Sequence, residues 1–430
     1  MSTKASRWES ILHSAQDVFT APSFALFCQL MGAWVTVTAR HTICQMVGVM
    51  DAGARGAHDA YHRFVRCGAW SLNSCLASLC LQLVRLVGTG GLTLYIDDTL
   101  LHRNGPKVNG AAVWRDAVRS TARHVVYARG LNLVVVGVRV DSPWGGMPLA
   151  LPIAIRLHHK GGTTMPELAV EMLTDLAEAL PDRSFVVCAD GAFATLAGAS
   201  LERTTVVSRM RRDAALHGPA PAKTGKRGRP RAKGERLATP ARFTEQLKRS
   251  AFTETDCEYR GKRATKLVWT KDVLWYRVSP KAMVRLVIVR DPVGHEPDDY
   301  FFTTDLTMNA AEVVSVYAGR WSIEITFRDV KQVLRGHQPQ SWADNGPERA
   351  AGLSFWLYSA VWLWYLRECG DRPRFTPTEW FPSKTTASFT DALAELRRTL
   401  WRQRISPASG GAPLDTQTVK VIVEALAVAA

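Results

Sequence analysis

Between residues 91 and 210 the apolar period of the chain changes several times, and that order limits the folds open to it. GLTLYIDDTL (91–100) reads as a strand ending in acids. GLNLVVVGVRV (130–140) and MPLALPIAIRL (147–157) are strand-like runs with little helical period. PELAVEMLTDLAEAL (166–180) has the spacing of an amphipathic helix. SFVVCAD (184–190) reads as a buried strand ending in an acid. A short apolar segment follows, and then TTVVSRM (204–210) as another strand. Three strands, a helix, a strand, a second helix and a strand describe an α/β core, with carboxylates where two strands end.

The flanks read differently. Residues 1–88 show helical spacing in VTARHTICQMVGVM and LNSCLASLCLQLVRLV, with Gly53, Gly56 and Gly68 as breaks. Arg40, Arg55, Arg63 and Arg66 sit near those breaks, which suits either DNA phosphates or a helical cap on the next domain. Residues 211–240 are rich in Gly, Pro, Ala and base, without periodicity, and read as a loop. TKLVWTKDVLWYRV and AMVRLVIVRD then look like strands of a β-rich insertion, and DDYFFTTDL (298–306) like a strand returning to the core. One long helix is expected over about 310–335, followed by further helices. The expected organisation is a helical DNA-binding region at 1–88, a core in two parts at 89–210 and 301–336, the basic loop and insertion at 211–300, and a helical region at 337–430 available for oligomerisation.

Composition narrows the partner. Lys and Arg number 54 against 39 Asp and Glu, a formal net charge of +15, and nucleic acid is the default partner for such a chain. The longest apolar run, Phe355 to Leu366, is shorter than the roughly 20 residues a helix needs to span a bilayer. The N-terminus has no apolar secretory segment. Eight Cys are scattered without a C-x-x-C pair and read as reduced core residues. A cytoplasmic protein without a membrane partner is the expectation.

The segment YAGRWSIEITFRDVK brings charge into register. On one helix, Tyr317, Arg320, Glu324 and Lys331 fall within a stripe about 60° wide. One acid sits there among two cations and a phenol. Ordinary helical ion pairs would account for such a face, but the four residues also reproduce Tyr-x2-Arg-x3-Glu-x6-Lys without a spacing error.

With that signature, and with acids in IDDT and CADGAF upstream, the chain resembles the bacterial insertion-sequence transposases of the DDE type. The resemblance covers roughly residues 90–340. It implies an RNase H-like catalytic core interrupted by a β-rich insertion, with helical regions on both sides. It implies Asp97, Asp190 and Glu324 as the catalytic, metal-holding acids. The family pattern Asp-x-Ser/Thr selects Asp97 through Thr99, with Asp98 as the alternative first acid. It implies two Mg2+ or Mn2+ ions, because in-line attack on a phosphodiester is served by paired ions held by carboxylates. Arg320 and Lys331 would hold phosphates of the transposon end, and Tyr317 would orient the backbone or pack beside Phe327. The partners implied are double-stranded DNA, as terminal inverted repeats and target, and further copies of the chain on that DNA.

Other features carry less. Lys226, Arg227, Arg229 and Arg231 form an AT-hook-like Arg-Gly-Arg-Pro core or a clamp on the DNA backbone. Ten Lys or Arg and two acids lie between Arg209 and Arg236. His58 and His62 stand four apart without the Glu of a zinc-protease motif or a third ligand nearby in sequence, and read as a helical pair. Relatives stack a flipped base on an aromatic of the insertion. Trp269 and Trp275 alternate with apolar residues and read as packing instead, and Trp321 has no matching place. Trp356, Trp362 and Trp364 suit either a protein interface or internal packing.

Overall fold

The computed structural model describes residues 4–222, 231–259, 261–377, 379–408 and 415–428. The chain opens with helices α1 (Lys4–His13), α2 (Ala21–Thr36), α3 (Ile43–Gly48), α4 (His58–Cys67) and α5 (Leu72–Val87). Strands β1 (Leu92–His102), β2 (Ala112–Arg115), β3 (Tyr127–Val140) and β4 (Leu149–His158) follow. Helix α6 (Met165–Ala179), β5 (Phe185–Ala189), a 3-10 segment (Gly191–Gly198) and β6 (Thr204–Arg209) continue the chain. After α7 (Pro240–Gln246) come β7 (Thr253–Tyr259), β8 (Lys262–Val273), β9 (Val284–Arg290) and β10 (Asp299–Thr303). The last elements are α8 (Ala310–Gly319), α9 (Trp321–Gln332), α10 (Gly346–Cys369), α11 (Phe389–Ala408) and α12 (Thr416–Val428).

Among the described residues ten strands form one mixed sheet in the order β2-β3-β1-β5-β6-β10-β9-β8-β7, with β4 also paired to β3. The interior pairs β1–β5 and β5–β6 are parallel, and the others are antiparallel. This mixed α/β architecture is compatible with the nuclease fold expected from the sequence. Strands β7–β9 extend the same sheet through β10.

Three local expectations need correction. First, β1 does not end at its acids. It runs on to His102 because Thr99 and Leu101 are buried and β3 pairs with it as far as Gly130. Second, the segment after Asp190 winds as a 3-10 turn rather than an α-helix. Third, the single helix expected over 310–335 is two, α8 and α9, divided at Arg320. At the break the Arg320 amide donates to the Tyr317 carbonyl and Ile323 to Arg320, the short i→i+3 spacing of a tightened turn.

The chain comes close to the sheet beside this break. A Cβ on Gly319 would overlap the Tyr95 hydroxyl from β1, so the chain passes closer to the sheet there than any larger residue permits. Helix α9 then lies on β1 and β4, held by buried Ile323 and Val330 and by Thr326, whose hydroxyl donates to the Ala150 carbonyl at 2.7 Å.

Helices from both ends of the chain share one core. Helix α10 is buried along its length, and Trp356, Trp362 and Trp364 lie inside it rather than on an interface. Trp356 Nε1 donates to the Cys75 carbonyl in α5, and Trp34 Nε1 in α2 donates to the Leu334 carbonyl. Arg397 in α11 donates to the Val35 carbonyl at 2.7 Å. Among the described residues no single helix is long and apolar enough to cross a membrane.

Candidate active site

The parallel pairing of β1 with β5 positions the first two acids. Its register ends at Ile96 opposite Ala189; Asp97 is the next residue on β1, and Asp190 is the first residue past β5. Two carboxylates therefore leave neighbouring strands at the same level, at the carboxyl ends of the parallel pair. The Asp190 carboxylate accepts from the Ala192 amide at 2.8 Å, and its carbonyl accepts from the Ser208 hydroxyl at 2.8 Å. Both bonds fix the Asp190 backbone at the start of the 3-10 turn.

Alternation along β1 puts Asp97 on the face of Tyr95, toward α8 and α9. Arg320, at the head of α9, reaches it there. Its Nη1 donates to Asp97 Oδ2 at 2.6 Å and its Nη2 to Glu324 Oε1 at 2.8 Å. One guanidinium thus stands between two of the three acids. Its side chain is only 12% exposed, and its Nε is buried without a hydrogen-bond partner among the described residues.

The electrostatics follow from burial. Desolvation pushes the Asp97 carboxyl up to about 7, with Asp190 and Asp98 adding to the rise and Arg320 opposing it. Asp98 is also raised, first by burial and then by the charge of Asp190, against an Asn132 hydrogen bond and the Lys331 charge. Burial works against the charge on Arg320, but Asp97, Tyr317 and Glu324 together hold its pKa above the ordinary value. Burial lowers Lys331, against the nearby carboxylates of Asp116 and Asp98.

The expected residues are brought together unequally. Asp97, Asp190, Glu324 and Arg320 share the site, and Lys331 lies on the side of Asp98. Tyr317 belongs to α8, and its ring stacks on Phe301 at 4.2 Å rather than beside Phe327. Trp321, the first residue of α9, is half exposed. Trp275 is buried edge-on to Phe302, and Trp269 packs beside Phe243. Arg231 is exposed, while Lys226, Arg227 and Arg229 lie outside the described residues.

The donor set suits a hard divalent ion, since carboxylates are the ligands such ions prefer. Among the described residues, however, these acids do not form a cluster with all ligand atoms within 4.8 Å. The guanidinium between Asp97 and Glu324 accounts for part of that spread. Sequence reading missed two contributors, Gly319 and Asn132. A glycine inside a helical pattern was the available signal for the first. Nothing local marked Asn132, which reaches Asp98 only through strand pairing.

Residues 25–269 match the DDE superfamily endonuclease family, more than half of the chain. The protein belongs to that family, whose activity is of the nuclease and transposase type, with DNA as substrate and divalent metal ions in general use. The matched stretch includes Asp97 and Asp190 and ends before the helix carrying Glu324. No curated protein matches the sequence.

Proposed function

We propose that this protein is the transposase of a bacterial insertion sequence. It binds the element's terminal inverted repeats, cuts the DNA at the ends and joins the 3′-hydroxyls to a target by cut-and-paste. Strands β1 and β3–β6 with α6 supply an RNase H-like core, and residues 211–300 are its insertion. The helical region 1–88 and the basic loop grip DNA, and the protein works in the cytoplasm as a dimer or higher oligomer on the DNA. The observation that carries the reading is the level placement of Asp97 and Asp190 on paired parallel strands, with Glu324 joined to Asp97 through Arg320.

Asp97, Asp190 and Glu324 would hold two Mg2+ or Mn2+ ions, which supply activation of the attacking oxygen and charge relief at the leaving oxygen. Arg320 holds the acids apart without DNA and is free, once a carboxylate is released, to pair with a phosphate of the transposon end. Lys331 offers a second cation on the Asp98 side. Trp321 exposes a ring beside Arg320 on which a base can stack. Tyr317 lends its phenol to the DNA backbone while its ring is held by Phe301.

The test is magnesium-dependent cleavage and joining of a labelled terminal-repeat duplex, with wild type beside Asp190→Asn and Glu324→Gln. Nicking and joining by wild type, with variants that bind but do not cut, supports the assignment. Cutting without joining would make the protein a nuclease of the same fold. Cleavage by both variants at the wild-type rate would make the acids structural.

A further inference from the structure

The pair His58 and His62 acquires in the fold what the sequence did not show, a third ligand. Helix α3 places Cys44 at its second residue, and the chain turns back through residues 49–57 so that the first turn of α4 faces it. Cys44 Sγ lies 3.2 Å from His58 Nε2 and 3.9 Å from His62 Nε2. The two imidazole rings stand 4.9 Å apart, centroid to centroid. All three ligand atoms fall within 4.8 Å of one another.

Those separations match a coordination sphere. With zinc–sulfur bonds near 2.3 Å and zinc–nitrogen bonds near 2.0–2.1 Å, a tetrahedral ion spaces its sulfur and nitrogen ligands about 3.6 Å apart. The two observed distances lie on either side of that value. An ion among them would take one lone pair from the sulfur and one from each imidazole nitrogen at once. The i, i+4 spacing on α4 turns both rings to one side of the helix. One thiolate and two imidazoles select a borderline-soft transition ion over magnesium. This cluster lies on α3 and α4, and its donors are chemically unlike the carboxylates of Asp97, Asp190 and Glu324.

We propose that Cys44, His58 and His62 bind one Zn2+ ion, with water in the fourth position. Cys44 and His58 are exposed, so the ion has an open path and a place for that water. The ion ties α3 to α4 across the 49–57 loop and holds the α4 helix, which carries Arg63 and Arg66, in its orientation. Binding releases the thiol proton to solvent, and no redox step is involved.

The experiment uses the full chain, stripped by chelator and dialysed into magnesium buffer, then titrated with Co2+ as a spectroscopic substitute for Zn2+. The expected result is one equivalent bound, with a near-ultraviolet sulfur-to-cobalt charge-transfer band and visible bands of tetrahedral intensity. Zinc displaces the cobalt and protects Cys44, but not exposed Cys67, from alkylation followed by mass spectrometry. Cys44→Ser removes the charge-transfer band, and His58→Ala and His62→Ala each weaken zinc binding roughly tenfold or more. Cys67→Ser leaves the band intact. Circular dichroism of each variant separates ligand loss from unfolding, and His62→Cys, which supplies another zinc ligand, restores binding. A band that survives Cys44→Ser, or no uptake in the folded wild type, overturns the proposal.

Discussion

Arg320 Nη1 donates to Asp97 Oδ2 at 2.6 Å, joining residues 223 apart in sequence. The bond places the positive end of one helix against an acid that burial would otherwise drive toward its neutral form. Removing one partner of a buried pair typically costs about 3–5 kcal/mol, less where the remaining group can take up a proton. Asp97 can do so, so the cost of Arg320→Ala falls below that range. At pH 8 the metal-free variant melts lower than wild type, and magnesium raises its melting temperature by more, because the ion meets carboxylates with no guanidinium between them. Thermal melts with and without magnesium check this. An identical magnesium response in both proteins would separate Arg320 from the proposed metal site.

Asp97 and Asp98 are adjacent, but β1 turns them to opposite faces. Asp97 meets Arg320 and Glu324 through the guanidinium, whereas Asp98 feels the Asp190 charge but meets Asn132 and Lys331 instead of Arg320. Asp97→Asn should therefore lower the cleavage rate on the order of a hundredfold or more, the scale of lost metal-ion charge stabilisation. Asp98→Asn should cost less. Single-turnover cleavage of a terminal-repeat duplex ranks the two, and a reversed order would make Asp98 the first acid.

Gly319, the last residue of α8, meets Tyr95 of β1 just before α9 begins. Gly319→Ala should destabilise the protein by about 1–3 kcal/mol, the usual cost of overpacking, and slow cleavage by displacing Glu324. Removing the hydroxyl in Tyr95→Phe should recover part of both losses. The double-mutant cycle measures this coupling by denaturant unfolding, and strictly additive effects would refute the contact as the cause.

His41 is 3% exposed, and neither ring nitrogen has a hydrogen-bond partner among the described residues. Burial pushes its pKa down to about 3, and the charges of Arg335, Arg397 and His337 act in the same direction. Below pH 6.5 the unfolded chain takes up a proton there that the folded chain refuses, so stability falls as pH drops from about 6.5 toward 3. This one group contributes a slope of at most about 1.4 kcal/mol per pH unit. His41→Gln should flatten the loss between pH 6.5 and 4.5 relative to wild type, as read from urea midpoints. Parallel curves would exclude His41 as a source.

Much of the architecture is legible in the amino-acid sequence. The β1, β3, β4, α6, β5 and β6 segments follow from period-2 and period-3.6 runs, because each element must bury one face. Asp190 stands at the end of one of those runs, while Asp97 and Glu324 are picked out by the Asp-x-Thr pattern and the Tyr-x2-Arg-x3-Glu-x6-Lys spacing of the family the chain resembles. What local pattern misled was the helix over 310–335. Its apolar spacing continues through Arg320, while the helix divides there, beside the contact of Gly319 with Tyr95 more than 200 residues earlier in the chain.

Sequence by itself determined the strand and helix segments, the positive charge and the positions of the acids along the chain, since these depend on residue types and short spacings. Tertiary structure decided which side chains meet. The parallel register of β1 and β5 set Asp97 level with Asp190. The helix break next to the Gly319–Tyr95 contact carries Arg320, which pairs with both Asp97 and Glu324. The return of α4 onto α3 brought Cys44 to His58 and His62. Each is a contact between segments distant along the chain, made by packing that no local spacing encodes.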